Sequence, residues 1–156
     1  MKIQLFILSV IMLCFFALIG CGTKNRSTDT HSRTFSTDEE KIEFLKRYVT
    51  LYSPVKATEF HIVYHDNSTG SVPGPSDWNI KVALLVEPEN IQAWLVDFEE
   101  VSKDHCDVSW ASEMLSNESR WQRTSMPRCY QRSKDPRVIL SMYESEGILL
   151  KQMTSD

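Results

Sequence analysis

The sequence predicts an α+β domain: an antiparallel sheet of about four strands with two or three helices packed on one face. Two segments in its middle alternate apolar and polar residues with period two, which is the mark of half-buried strands. Two apolar runs near the C-terminus are joined by Glu144-Ser145-Glu146-Gly147, which reads as a hairpin. Apolar residues at helical spacing precede and follow the first strand pair.

The first helix opens at Thr37-Asp38-Glu39-Glu40, where a Thr N-cap and a Glu three residues on form a capping box. Ile42, Leu45, Tyr48, Val49 and Tyr52 then make one apolar stripe, and Ser53-Pro54 ends it. From Glu59 to His65, Phe60, Ile62 and Tyr64 fall on one face while His61, Val63 and His65 fall on the other. Trp78 to Val86 repeats the pattern, with Ile80, Val82, Leu84 and Val86 in a row. The segment between them, Asp66 to Asp77, is too long and too rich in Gly and Pro for a tight hairpin and reads as an exposed loop. Pro88 suits a first helical position, and Ile91, Trp94, Leu95 and Phe98 follow at i, i+3, i+4 and i+7, predicting a second helix. A shorter third helix is predicted from Asp107 to about Leu115, using Val108, Ala111 and Leu115 or the row of Trp110 and Met114. Val138 to Tyr143 and Ile148 to Met153 supply the final hairpin, with Gly147 at the positive-φ position of its turn.

Two further segments precede this domain. Met1-Lys2 is a minimal positive start, and Leu5 to Ile19 is apolar except for Ser9, which is the make-up of a signal-peptide core. It is short against the roughly 20 apolar residues that span a bilayer. Leu18-Ile19-Gly20-Cys21 resembles the lipobox of bacterial lipoproteins, in which an aliphatic residue and two smaller ones precede a thiol. Ile19 is bulkier than the commonest residue at its place, and the resemblance covers the signal region only. It implies cleavage after Gly20, a diacylglyceryl thioether and an N-acyl chain such as palmitate on Cys21, and a protein tethered to the cell envelope. Gly22 rather than Asp as the second mature residue implies sorting to the outer membrane, facing the periplasm. Residues 1–20 are therefore expected to be the signal, 21–36 a lipidated flexible tether and 37–156 a single globular domain. The tether reading rests on its polar composition, with Phe35 its only large apolar side chain, and it leaves His31 solvated.

Removal of the signal leaves 136 of the 156 residues, with 21 acidic side chains against the 16 basic ones that remain once Lys2 is gone. This mild acidity argues against nucleic acid as a partner. Cys14 leaves with the signal and Cys21 is acylated, so Cys106 and Cys129 are the pair left to form a disulfide in an oxidising compartment. The alternative, a Cys106 nucleophile assisted by His105, lacks any local signature. On one strand His61 and His65 would stand about 13 Å apart, beyond the reach of one ion, so no metal site is expected. Nor does the sequence hold a Gly-x-Ser-x-Gly elbow or a phosphate-cradling loop.

Charge is unevenly spread: acids gather between Asp97 and Asp107, bases between Arg120 and Arg137. Arg120, Arg123, Arg128 and Arg132, interleaved with Trp121 and Tyr130, form a candidate binding patch if they are not simply paired with the acids. Asp77 and Trp78, beside the Pro- and Gly-rich loop, form a second candidate surface, unless Trp78 only plugs the core. Two functional readings follow. In the first, the domain is a non-enzymatic binding module, an assembly accessory or an immunity-type inhibitor, that meets an envelope protein from its membrane anchor and needs no cofactor beyond the lipid on Cys21. In the second, His65, Asp66 and Asp77 serve a hydrolase of envelope polymers.

Overall fold

The computed structural model describes residues 27–67, 74–115 and 118–155. The signal region, Cys21 and the start of the expected tether lie outside these residues, as does the middle of the Asp66 to Asp77 loop. Strand β1 (Thr28–His31) is followed by a 3-10 turn (Ser32–Thr34), helix α1 (Asp38–Leu45) and strands β2 (Val55–His65) and β3 (Asp77–Val86). A 3-10 segment (Pro88–Leu95) leads to β4 (Phe98–Val101). Short 3-10 turns then flank helix α2 (Trp110–Met114), and β5 (Arg128–Arg132), β6 (Asp135–Tyr143) and β7 (Ile148–Thr154) complete the chain.

Among the described residues these strands make one sheet, ordered β1-β2-β3-β7-β6-β5-β4, with every neighbouring pair antiparallel. The α+β class stands, but the sheet has seven strands rather than about four. The three additional strands lack the alternation that marks the others. β1 is wholly polar, β4 is Phe-Glu-Glu-Val at the end of a helical stripe, and β5 begins and ends on arginine. β5, inside the sheet, buries only Cys129 and Tyr130, while β1 and β4 are edge strands, which pair through their backbones and need no buried row of their own. The segment from Thr28 to Ser36, expected to be tether, is in this way bound to the domain.

Register divides the sheet into two apolar faces. Phe60, Val82, Lys151, Leu140 and Tyr130 are successive cross-strand partners and share one face. Glu59, Ala83, Leu150, Ser141 and Cys129 form the adjacent row on the other. The first face carries the larger core, closed by Leu45, Val49, Ile91 and Trp94. The second is closed by Trp110, Ala111, Leu115 and Trp121 against Ala57, Ala83 and Leu150. Helical cover therefore lies on both faces, not one. The sequence could not reveal this because the second face mixes Ala57, Ala83, Ile148 and Leu150 with the polar Glu59 and Ser141 across several strands, so no one strand shows a continuous apolar row there.

Helix α1 starts as expected: Thr37 Oγ1 accepts from the Glu40 N–H, and Glu40 Oε2 accepts from the Ser36 N–H at 2.9 Å. It ends at Leu45, short of Tyr52, and continues as turns in which the Tyr48 and Val49 N–H groups both reach the Leu45 carbonyl. Tyr48, Val49 and Tyr52 still pack on the core, so the stripe was read correctly and only its backbone is looser. The predicted second helix is the 3-10 segment, opened by Pro88, and Phe98 has already passed into β4 after Asp97 takes a positive φ of 63°. At the β6–β7 turn Gly147 has φ 67°, and a Cβ there would stand 2.3 Å from the Val86 carbonyl oxygen. Its own carbonyl accepts from the Val86 N–H at 2.9 Å, tying this hairpin to the end of β3.

The disulfide expected from the sequence joins Cys106 to Cys129, with Cα atoms 6.0 Å apart. It fastens the long β4–β5 excursion, which carries α2, to the face that it covers. In the chain-entropy picture such a loop is worth on the order of 3 kcal/mol. The Cys106→Ala/Cys129→Ala double variant should lose about that much unfolding free energy in urea, whereas an unchanged midpoint would show that the excursion is held by packing alone.

Lys151 lies in the middle of the larger core, only 3% exposed, between Val82 and Leu140 in register. Burial, with a smaller contribution from the Arg132 charge, lowers its pKa to about 8. The unfolded chain therefore binds more protons than the native one between about pH 8 and pH 10.5, and Lys151 makes stability rise with pH across that window. Lys151→Met should stabilise the protein by about 2 kcal/mol at pH 7, and the gain should shrink toward pH 10.5. Urea titrations of both proteins at several pH values check this.

Candidate functional site

The site assembles where β1 lies on β2. The register sets His31 opposite His61, and Asp29, two residues earlier on β1, points to the same face. The two imidazoles stack with centroids 3.8 Å apart and planes 13° from parallel. His61 Nε2 lies 3.0 Å from Asp29 Oδ1. The pKa of His31 is held below the ordinary range for histidine, chiefly by burial and then by its neighbours His61 and Arg33.

Beside this trio a cleft of about 270 Å³ opens between the sheet edge and α2. His31, Ser32 and Arg33 form one wall, Glu59, His61 and Lys81 the floor, and Trp110, Glu113 and Met114 the other wall. Its lining carries two cationic side chains, Arg33 and Lys81, and two acids, Glu59 and Glu113. Arg33 and Lys81 make no ion pair among the described residues, and Lys81 Nζ stands 6.0 Å from the Trp110 ring centroid. The Trp110 indole Nε1 is buried without a hydrogen-bond partner among the described residues.

Glu59, the acid in the floor, is already spoken for. It is 8% exposed, accepts from Ser32 Oγ, and takes the Lys41 ammonium at 2.6 Å. Around it Arg120 Nη1 meets Asp38 Oδ2 at 2.6 Å, Arg120 Nε meets Glu118 at 2.5 Å, and Lys41 approaches Asp38 at 3.9 Å. This network joins β2, α1 and the turn before β5 at the sheet edge that β1 does not cover. It makes Glu59 part of the cleft's frame.

The sequence-predicted residues fall elsewhere and apart. Arg128, Tyr130 and Arg132 lie on the larger-core face of β5, while Trp121 belongs to the opposite core. Arg128 is taken by Glu100 at 2.6 Å and Glu144 at 3.0 Å, and these bonds, the Glu100 one foremost, raise its pKa. Arg132 stacks over Phe98, and Arg123 over Tyr143 on the other face. The six residues therefore do not form one patch: the sheet stands between them, and the acids claim Arg120 and Arg128. Trp78 packs at the margin of the larger core under the Arg137 guanidinium, so it plugs that end of the sheet. His65 and Asp77 are cross-strand partners at the exposed end of the hairpin, where Asn67 Nδ2 donates to Asp77 Oδ2 at 3.0 Å. The Asp66 N–H donates to Ser27 Oγ.

Sequence reasoning missed the cleft because His31 was assigned to the tether. The signal that could have found it is the polar alternation of Thr28 to His31, with both hydroxyls on one side and Asp29 and His31 on the other. Comparison with protein-family models, curated proteins and solved structures finds no match to the chain.

Breaking the Glu59 network should be costly, because it leaves the nearly buried Lys41 ammonium with only Asp38, 3.9 Å away, as counter-charge. Glu59→Ala is expected to lower unfolding free energy by about 3 kcal/mol, and the Lys41→Met/Glu59→Leu pair to restore most of it. A loss under about 1 kcal/mol for Glu59→Ala would show that solvent already screens the site.

Proposed function

We propose that this chain is an envelope lipoprotein, anchored through lipid on Cys21, whose domain acts by non-enzymatic capture of a partner as an assembly accessory or immunity-type inhibitor does. The observation that carries the capture reading is the cleft between β1 and α2. It gathers Arg33 and Lys81, while its buried acid Glu59 is committed to Lys41 and Ser32 and its other acid, Glu113, stands on the far wall. Such a hollow favours an anionic group, and its volume suits a side chain or a small terminal group rather than a large ligand. The partner is thus an envelope protein that presents an acidic group. The reaction-based alternative has less support, since His65 and Asp77 stand exposed, where no burial tunes an acid or a base.

The Cys106–Cys129 bond accords with an oxidising, extracytoplasmic address. None of the described helices is long and apolar enough to cross a membrane, and the anchor is assigned from the resemblance of Leu18-Ile19-Gly20-Cys21 to a lipobox. The orientation toward the outer membrane rests on Gly22 alone.

Two measurements test the reading. Cys21→Ser should abolish palmitate labelling and move the protein out of the lipid-modified membrane pool. Labelling that persists would remove the anchor assignment. A photo-crosslinker at Met114 should join the protein to a partner in cells, and one at Arg132 on the opposite face should not. The Arg33→Glu/Lys81→Glu variant should lose the Met114 product at least tenfold, and an undiminished product would exclude the cleft as the capture surface.

A further inference from the structure

We propose that Asp29, His31 and His61 form a three-ligand site for a borderline divalent metal ion, with zinc its natural probe, whose open coordination position faces the cleft. The inference goes beyond partner capture and does not depend on the lipid anchor.

The geometry comes from the register. Directly opposed residues on antiparallel strands hold their Cβ atoms about 4.5–5.5 Å apart, and a residue two positions along lies on the same face. His31 and His61 are such an opposed pair and Asp29 is the i−2 neighbour, so three ligating side chains converge without any long-range coincidence. One ligand atom from each lies within 4.8 Å of the others. Among the described residues no other group of His, Cys, Asp or Glu converges in this way.

Two atoms bound to one tetrahedral zinc at about 2.0–2.1 Å are about 3.4 Å from each other. The His61–Asp29 contact, at 3.0 Å, already meets that requirement. For both nitrogens to face one ion the stacked imidazoles must turn out of their parallel arrangement, which the exposed setting of Asp29 and the half-exposed setting of His61 leave room for, their side chains being 69% and 34% exposed.

The donor set selects the ion. Two imidazoles and one carboxylate suit zinc, copper(II) or nickel, whereas calcium and magnesium ask for oxygen ligands throughout. Three protein ligands, rather than four, leave a position for water or an incoming donor, which is the pattern of exchangeable sites rather than closed structural ones. His31 and His61 also line the cleft, so that position opens toward Lys81 and Trp110, and an acidic group captured there could complete the coordination. Arg33, which also lines the cleft, places a like charge near the ion and works against tight binding.

The test uses the full chain in detergent, stripped with chelator and titrated with zinc by calorimetry. One ion per chain is expected, with a dissociation constant in the micromolar range. His31→Ala and His61→Ala should each weaken binding at least tenfold, and Asp29→Asn should do so by a smaller factor. With copper(II) as a second probe, the electron paramagnetic resonance spectrum should show two imidazole nitrogens, falling to one in either His variant. Because His31 and His61 stand at a partly exposed edge, unfolding midpoints without metal should match across the variants, separating loss of a ligand from loss of fold. Absence of binding, or binding that survives both His substitutions, overturns the site and leaves the capture reading to its own crosslinking test.

Discussion

The structure depends on the ladder between β3 and β7. Its pairs run from Asn79 with Thr154 to Leu85 with Ile148, and they join residues on average some seventy positions apart in the sequence. On one side of that seam stand β2 and β1, on the other β6, β5 and β4. Neither group alone could bury both of its faces. Joined, they make β3 a central strand whose Val82 and Leu84 fill one core and whose Ala83 fills the other, all fully buried. Gly147 reinforces the seam from its end. Its positive φ lets the β6–β7 turn approach Val86 closely enough for a backbone hydrogen bond, an approach any Cβ would block.

Both layers of cover follow from that strand order. The chain must pass from β3, near the middle, to β4, at the far edge, and the Pro88–Leu95 segment makes this passage across the larger core, laying Ile91 and Trp94 down on the way. The excursion between β4 and β5 returns over the opposite face and brings Trp110 and Trp121 onto Ala57 and Ala83. Small residues in the sheet leave room for large ones in the cover. The cleft is where this second cover stops short of the edge strand, so its walls come from β1 with its turn and from α2 rather than from one motif. A polar floor survives there because Lys41 and Ser32 satisfy Glu59, since an unpaired carboxylate at such depth would be strongly destabilising.

What could be read from the sequence was whatever buried a periodic row. Ile80, Val82, Leu84 and Val86 announce their strand, Thr37 and Glu40 their helix start, and Gly147 its turn, because each is a local rule acting on neighbouring residues. The cysteine pair was legible by elimination. What was not legible depends on partners far along the chain. Nothing in Thr-Asp-Thr-His says that it will lie against Tyr64 to His61, and nothing in Arg-Cys-Tyr-Gln-Arg says that its two arginines will be claimed by Glu100 or stacked on Phe98. The comparison of His61 with His65 along one strand was sound as geometry. It overlooked the neighbour across the ladder, which stands nearer than any residue on the same face of the same strand.

The position of β1 also changes what a lipid anchor on Cys21 would mean. Were the folded part to begin at Thr37, sixteen residues of flexible chain would separate it from the lipid, and the domain could face its membrane in any orientation. With Thr28 already paired to Tyr64, seven residue steps remain from Cys21, a reach of at most about 25 Å for a fully extended chain. On the anchor proposal, the chain leading from the lipid would enter the fold on the same strand that supplies Asp29 and His31. A short leash raises the effective concentration of partners on the same membrane and excludes those whose binding groups stand well beyond its reach. Under the anchor proposal, one polar edge strand would thus impose a selection by distance before any contact in the cleft is made.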